Sequence, residues 1–323
     1  MKTGVWKIDG RGRPSEDRFF INDISGEFLI AGVFDGHSGS FTVDFTLKLL
    51  PQKLVELVRS VGNDEQAMRK GLQNVFIAHD KLLAQQGPIH YKDSGSTATI
   101  VIVTATQCYF AFIGDSPGFI FDPDTGSIII SIGKHLPMRD DEYKRIIKNG
   151  GSVTTDEGDA PRVNGCLMVS RAFGDFSMKF ENPKVPETNK TLIHDVCVTA
   201  DPEIIVIPRP QKGIIALCSD GLVDTPDGEI RENSVVAKII QEKIKQLGNL
   251  TKAAEAVIQA QVSEFTTNPE EYDADDIVLL LIDITIAPPV KGGSKAPSTR
   301  KVKPRGRPKT GKRKSSLPKT FMI

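Results

Sequence analysis

The run Phe28-Leu29-Ile30-Ala31-Gly32-Val33-Phe34 is apolar throughout and then stops at Asp35-Gly36-His37-Ser38-Gly39-Ser40. An uninterrupted apolar run of this length reads as a buried strand, and the acid, glycine and histidine mark its end. The pattern recurs at Ala111-Phe112-Ile113-Gly114-Asp115-Ser116 and at Ile215-Ala216-Leu217-Cys218-Ser219-Asp220-Gly221. In a fourth place, Asp275-Asp276 stand just before the apolar residues 277–284. Further β-branched or aromatic runs at 97–104, 109–113, 127–132, 203–207 and 213–217 predict more strands.

Helical periodicity lies between these runs. Val236, Ile239, Ile240, Ile244 and Leu247 share one helical face, and Ala254, Val257, Ile258, Val262 and Phe265 share the next. Two more helices fit between Phe41 and Gln86. Long helices in sequential pairs, rather than one after each strand, argue against a doubly wound parallel sheet and for a layered α+β fold.

The 323 residues, 39% of them hydrophobic, are enough for one large or two ordinary cores. A formal net charge of zero conceals an asymmetry: residues 288–323 hold 12 Lys/Arg and no acid, so the preceding body has a net charge of about −12. Apolar periodicity vanishes there too. The expected organisation is a folded body over 1–287 and a disordered basic tail over 288–323. Cys108, Cys166, Cys197 and Cys218 form no C-x-x-C pair, and no basic-then-apolar leader opens the sequence, so an intracellular chain with reduced thiols is expected, cytoplasmic or nuclear. The most apolar stretch, 277–286, is broken by Asp283 and too short to span a bilayer.

A lone Asp-Gly is ordinarily a turn. Four carboxylates at the ends of apolar runs are different, because buried acids that meet repel one another unless cations lie between them. Carboxylates plus a glycine carbonyl suit Mg²⁺ or Mn²⁺, whereas zinc would want His and Cys clusters that this chain lacks. Two such ions about 3.5–4 Å apart, sharing one carboxylate, would activate a bridging water for in-line attack on a phosphoryl group. A cysteine phosphatase would need C-x5-R, and Cys166 and Arg171 are one residue too close.

Taken together, Glu16-Asp17, DGHSGS (35–40), SGSTA (94–98), GDS (114–116), RVNGCLMVSRAFGD (162–175), SDGLVD (219–224) and DDI (275–277) resemble, in order, the motifs of the metal-dependent Ser/Thr protein phosphatases of type 2C. The resemblance covers residues from about 8 to 286. It implies a four-layer α-β-β-α sandwich of two antiparallel sheets flanked by helix pairs, acting as a monomer on phosphoprotein substrates. By position, Asp35 resembles the acid bridging two metals, Gly36 the carbonyl donor to one of them, and Asp220 and Asp275 the remaining ligands of the other. Glu16 and Asp17 resemble acids that hold water beside the metals, and Asp115 and Asp224 looser ligands of an optional third ion. His37 resembles the general acid that protonates the leaving oxygen, a role suited to a histidine near neutral pKa. His79, His90 and His194 have no such neighbours and read as packing or surface residues. The stretch 176–198 resembles the family's variable flap.

This chain departs from the pattern in several places. The position of the phosphate-gripping arginine holds Gly12, leaving Arg13 to take the role, with Arg11 as the alternative. Lys134 replaces an acid before His135, and Asp276 replaces an asparagine, so a second carboxylate adjoins Asp275. In the tail, Lys303-Pro304-Arg305-Gly306-Arg307-Pro308-Lys309 resembles an AT-hook, which would bind A·T-rich DNA weakly; the alternative is a nuclear-import signal or a solubilising tail. Residues 306–312, GRPKTGK, lack the Ser/Thr and the preceding strand of a Walker loop. The rival to an active enzyme is a catalytically impaired, phosphoprotein-binding module anchored to nucleic acid by its tail.

Overall fold

The computed structural model describes residues 1–10, 14–24, 26–85, 93–155, 160–179, 197–266 and 275–286. The first half of the chain forms β1 (Lys2–Ile8), β2 (Arg18–Ile24), β3 (Phe28–Phe34), β4 (Gly36–His37), α1 (Phe41–Val61), α2 (Glu65–Ala84), β5 (Gly95–Ser96), β6 (Ala98–Val103), β7 (Gln107–Ile113), β8 (Gly118–Phe121) and β9 (Ile128–Ser131). Then come α3 (Asp140–Lys148), β10 (Val153–Thr154), β11 (Arg162–Val163), β12 (Phe173–Gly174), β13 (Glu203–Pro208), β14 (Ile214–Cys218), α4 (Asn233–Leu247), α5 (Leu250–Phe265) and β15 (Ile277–Asp283).

Two five-stranded antiparallel sheets dominate, in the orders β1-β15-β14-β8-β9 and β13-β7-β6-β3-β2. Their central strands are buried on both faces, which is why they lack polar alternation. Along β3, Ile30 and Phe34 join the core under α1 and α2, while Leu29, Ala31 and Val33 join the core between the sheets. Along β15, Ile277, Leu279 and Leu281 face α4 and α5, and Val278, Leu280 and Ile282 face the other sheet. Period-2 alternation thus feeds three parallel cores, and the layers follow as helix pair, sheet, sheet, helix pair. No helix among the described residues is long and apolar enough to cross a membrane.

The strand runs read from the sequence appear with ends shifted by a residue or two, as do both helix pairs. Among the elements longer than two residues, four carry no such run. β1 and β2 are edge strands with half-buried faces, and β8 has only four residues. α3 is strongly charged and buries only Glu142 and Ile146. Glu142 lies within a cage of Arg145, Arg171 and Ser170, its carboxylate 2.6 Å from Arg145 and 2.7 Å from Arg171. Cys108, Cys197 and Cys218 are buried free thiols, and Cys166 is exposed.

His79 is a packing residue, fully buried between α1 and α2, with Nε2 3.0 Å from Thr46 Oγ1 and its ring against Phe45 and Phe173. Burial, aided by the charge of Lys53, lowers its pKa from 6.5 to about 3. His90 and His194 lie outside the described residues. The folded state therefore resists protonation that the unfolded chain accepts. The contribution of His79 to stability is complete above about pH 7 and declines as pH falls from 6.5 towards 3, by about 2 kcal/mol at pH 5. Urea titrations at pH 8 and pH 5 should show that His79→Gln loses this share of the acid sensitivity.

Candidate functional site

The strand ends converge on one face of the sandwich. Glu16, Asp35, Gly36, His37, Asp115, Asp220 and Asp275 line a single cavity of about 260 Å³, together with Thr97, Arg162 and the 166–169 segment. Acids that are 240 residues apart in sequence, Asp35 and Asp275, meet because β3 and β15 run in opposed sheets and end at the same edge.

Backbone pins hold the acids there. The amide of Asp35 donates to Thr97 Oγ1 (3.1 Å) and its carbonyl accepts from the Thr97 amide (2.9 Å). The Thr97 hydroxyl in turn contacts Ser116 Oγ at 2.7 Å, tying the Asp35 and Asp115 turns together. On the other sheet, Ser219 Oγ accepts from the Val278 amide at 3.0 Å, registering the Asp220 turn on β15. At Gly221 a side chain is impossible: a Cβ would stand 2.5 Å from the carbonyl oxygen of Asp276. That close approach brings Asp220 beside Asp275.

The electrostatic result is a strained set of acids. Burial, reinforced by the charges of Asp220 and Asp17, raises the Asp35 pKa well above the usual carboxylate range. Burial and Asp220 push Asp115 up to about 7. Burial raises Asp17 as well, against a hydrogen bond from Ser219 and with the charge of Asp276 adding to the rise. Asp17 does not line the cavity; it is 1% exposed, and its Oδ2 and the buried Asp220 Oδ1 have no hydrogen-bond partner among the described residues.

Buried oxygens without donors, beside acids that repel one another, fit hard divalent cations. Among the described residues no three His, Cys, Asp or Glu side chains form a ready-made coordination cluster. The donors instead surround a space wide enough for ions that keep part of their water, as Mg²⁺ does. Asp224 lines a neighbouring, largely apolar cavity of about 300 Å³ that shares Asp115 and Asp220 with the first. Lys134, the residue standing in place of an acid, lines that second cavity, while His135 beside it is buried 3.4 Å from Glu203.

The extra carboxylate at 276 does not enter the acid cavity. Its Oδ1 accepts from the Gly10 amide (2.7 Å) and its Oδ2 from the Glu16 amide (2.8 Å). Asp276 therefore clasps both flanks of the loop that carries Arg11 and Arg13, which themselves lie outside the described residues. Glu16 is fixed further by accepting from the Gly39 amide at 3.1 Å.

His37 lines the same cavity as the acids. Its Nε2 lies 2.9 and 3.0 Å from the two oxygens of Asp175. Burial alone would lower the His37 pKa, but the charge and hydrogen bond of Asp175 outweigh it, so the net shift is upward. Asp175 and Arg162 were not singled out from sequence, although both lie in the 162–175 block; nothing local shows that these ends of the block turn towards His37 and the cavity.

The family model described as Protein phosphatase 2C matches residues 2–268. Protein phosphatase 1L of Bos taurus is 28% identical over 236 residues, 70% of this chain and 61% of that protein. Probable protein phosphatase 1N of Mus musculus is 30% identical over 233 residues, 71% of this chain and 54% of that one. The chain thus spans about half to three fifths of the length of these curated relatives. A phosphatase structure from Toxoplasma gondii superposes with a TM-score of 0.69 at 22% identity, covering 86% of this chain and 91% of that one. A sex-determining protein of C. elegans gives 0.66 at 19% identity, covering 88% and 64%. At such identities the likeness is one of fold.

A saturable cation site predicts a thermal shift without any turnover. Mn²⁺ at 100 times its Kd should raise the Tm by about 5–10 °C. Asp35→Asn and Asp220→Asn, relieved of one repelling charge, should melt at or above the wild-type temperature in EDTA yet gain little from Mn²⁺, as followed by differential scanning calorimetry.

Proposed function

Because the chain belongs to the protein phosphatase 2C family, we propose that it hydrolyses phosphoserine and phosphothreonine on proteins with two Mg²⁺ or Mn²⁺ ions at the acid-lined cavity. The observation that carries this reading is the meeting of Glu16, Asp35, Gly36, Asp220 and Asp275 around one space, with a buried Asp220 oxygen, Oδ1, that has no hydrogen-bond partner among the described residues. Asp35, the Gly36 carbonyl, Asp220 and Asp275 would hold the ions, with Asp35 as their shared ligand. Glu16 and Asp17 orient water. Asp115, which lines both cavities, and Asp224, which lines the second, would serve an optional third ion. When bound, the cations supply the Lewis acidity that makes water a nucleophile near neutral pH and offsets charge on the phosphoryl oxygens.

The residues of the chain supply the rest. Arg13, or Arg11 in its place, grips the phosphate from a loop whose two flanks Asp276 fixes, and Arg162 adds positive charge at the cavity wall. A water oxygen forms the new P–O bond as the ester P–O bond breaks, and the departing seryl or threonyl oxygen takes a proton from His37. Inorganic phosphate and the free hydroxyl are the products. Residues 1–287 are the catalytic body, taken as a monomer, and the 176–198 stretch helps select substrates. Residues 288–323, with 12 Lys/Arg and no acid, engage DNA through the segment around Arg305 and Arg307.

Purified protein should release phosphate from a phosphothreonine peptide when Mn²⁺ is added and stop with EDTA, and Asp220→Asn should lose about 10²-fold or more. Metal and peptide binding without phosphate release would identify a binding module instead. Deleting residues 288–323 should abolish salt-sensitive retention on A·T-rich DNA while leaving turnover on a short peptide unchanged; unchanged retention refutes the role of the tail.

A further inference from the structure

A three-stranded sheet of two-residue strands, in the order β12-β5-β4, stands apart from the two large sheets. Its register is specific. Gly95 of β5 lies opposite His37 of β4 on one side and opposite Gly174 of β12 on the other. The next residue after Gly174 is Asp175, so the sheet delivers His37 and Asp175 to opposite flanks of one glycine. A Cβ at Gly95 would overlap both His37 Nε2 and Asp175 Oδ2. The pair exists only because that residue has no side chain.

Asp175 is itself held rigidly. It is 4% exposed, adopts a left-handed backbone with φ of 50°, and donates its amide to the Ser94 carbonyl at 3.1 Å. Behind it, Asp80 of α2 accepts from the Gly174 amide (2.9 Å) and from Lys179 Nζ (2.9 Å), and Lys179 also donates to the Ala172 carbonyl (2.7 Å). Asp80 and Lys179 are fully buried, an ion pair whose members satisfy one another and two backbone groups. A positive φ on a non-glycine residue costs free energy, and here that strain lies beside the one histidine at the acid cavity.

We propose that Asp175 is a positioning residue that takes the Nε2 hydrogen of His37, fixing the tautomer so that the ring exchanges its catalytic proton with the leaving seryl or threonyl oxygen only through Nδ1. The proposal deepens the phosphatase reading and rests on it for the identity of the leaving group. A neutral imidazole has one donor and one acceptor nitrogen, and a carboxylate accepts only. With both Asp175 oxygens within 3.0 Å of Nε2, that nitrogen is the donor. Nδ1 alone then remains for the cavity that the ring lines. Fixing tautomer and ring plane is the service a buried aspartate gives a catalytic histidine in unrelated hydrolases.

The test compares two leaving groups. A phosphothreonine peptide expels an alkoxide that needs a proton, whereas p-nitrophenyl phosphate expels a stable phenolate that does not. Asp175→Asn and Gly95→Ala should each lower kcat on the peptide by about 10²-fold, the lower end of a general-acid contribution. Their kcat on p-nitrophenyl phosphate should stay within about 3-fold, with KM for either substrate little changed. Retained turnover of p-nitrophenyl phosphate doubles as the check that each variant folds. Equal losses on both substrates would overturn the proposal and leave Asp175 a structural residue. Long-range ¹H–¹⁵N spectra of the wild-type histidines at alkaline pH, with His37→Gln for assignment, give an answer independent of turnover. An Nε2–H tautomer for His37 supports the pair, and an Nδ1–H tautomer overturns it. If the wild type turns over neither substrate, the phosphatase reading fails while the tautomer still decides this inference.

Discussion

Repulsion among buried carboxylates is the constraint that the rest of this molecule accommodates. Burial, together with the charge of Asp220, raises the pKa values of Asp17, Asp35 and Asp115. Side chains free to move would separate. They stay together because each leaves a strand or turn whose register is set elsewhere: Asp35 by its two hydrogen bonds to Thr97, Asp220 by the Ser219 bond to β15, Asp275 by the close approach at Gly221. The dry interface between the sheets, filled by Leu29, Val33, Phe110, Leu217 and Leu280, is the rigid body that opposes the repulsion. Hydrophobic burial thereby maintains an arrangement that electrostatics alone would disperse.

The surroundings of His37 follow a different logic. Where the acid side is under-satisfied, the His37 side is over-determined: a short sheet, a glycine without room for a side chain, a left-handed aspartate and a buried Lys179–Asp80 pair converge on one imidazole. An incompletely satisfied cluster suits a site that must exchange ligands and water. A fully connected one suits a group whose orientation must not vary.

What the chain discloses before folding depends on how local the cause is. Both helix pairs and the central strands are legible because burial on one or two faces writes a period into neighbouring residues. The edge strands β1 and β2 are half-buried and dilute that signal, and α3 hides its role because its inward residue, Glu142, is satisfied by Arg171 some 29 positions away. The same holds in the site. Carboxylates at strand ends announce themselves, and the resemblance to a known family supplied the order of the rest. Asp276, by contrast, reads as one more acid and is in fact a clasp on the backbone of Gly10 and Glu16. Asp175 gains its meaning only from the pairing of three dipeptide strands.

The position of β15 in its sheet governs how the molecule comes into being. It lies between β1 and β14, so among the described strands β1 pairs with β15 alone. On a ribosome the opening strand must wait, unpaired, through more than 260 residues of synthesis, and the acid preceding the final strand arrives last of all. A nascent chain of this protein therefore lacks one wall of the acid cavity until residues 275–283 have been made.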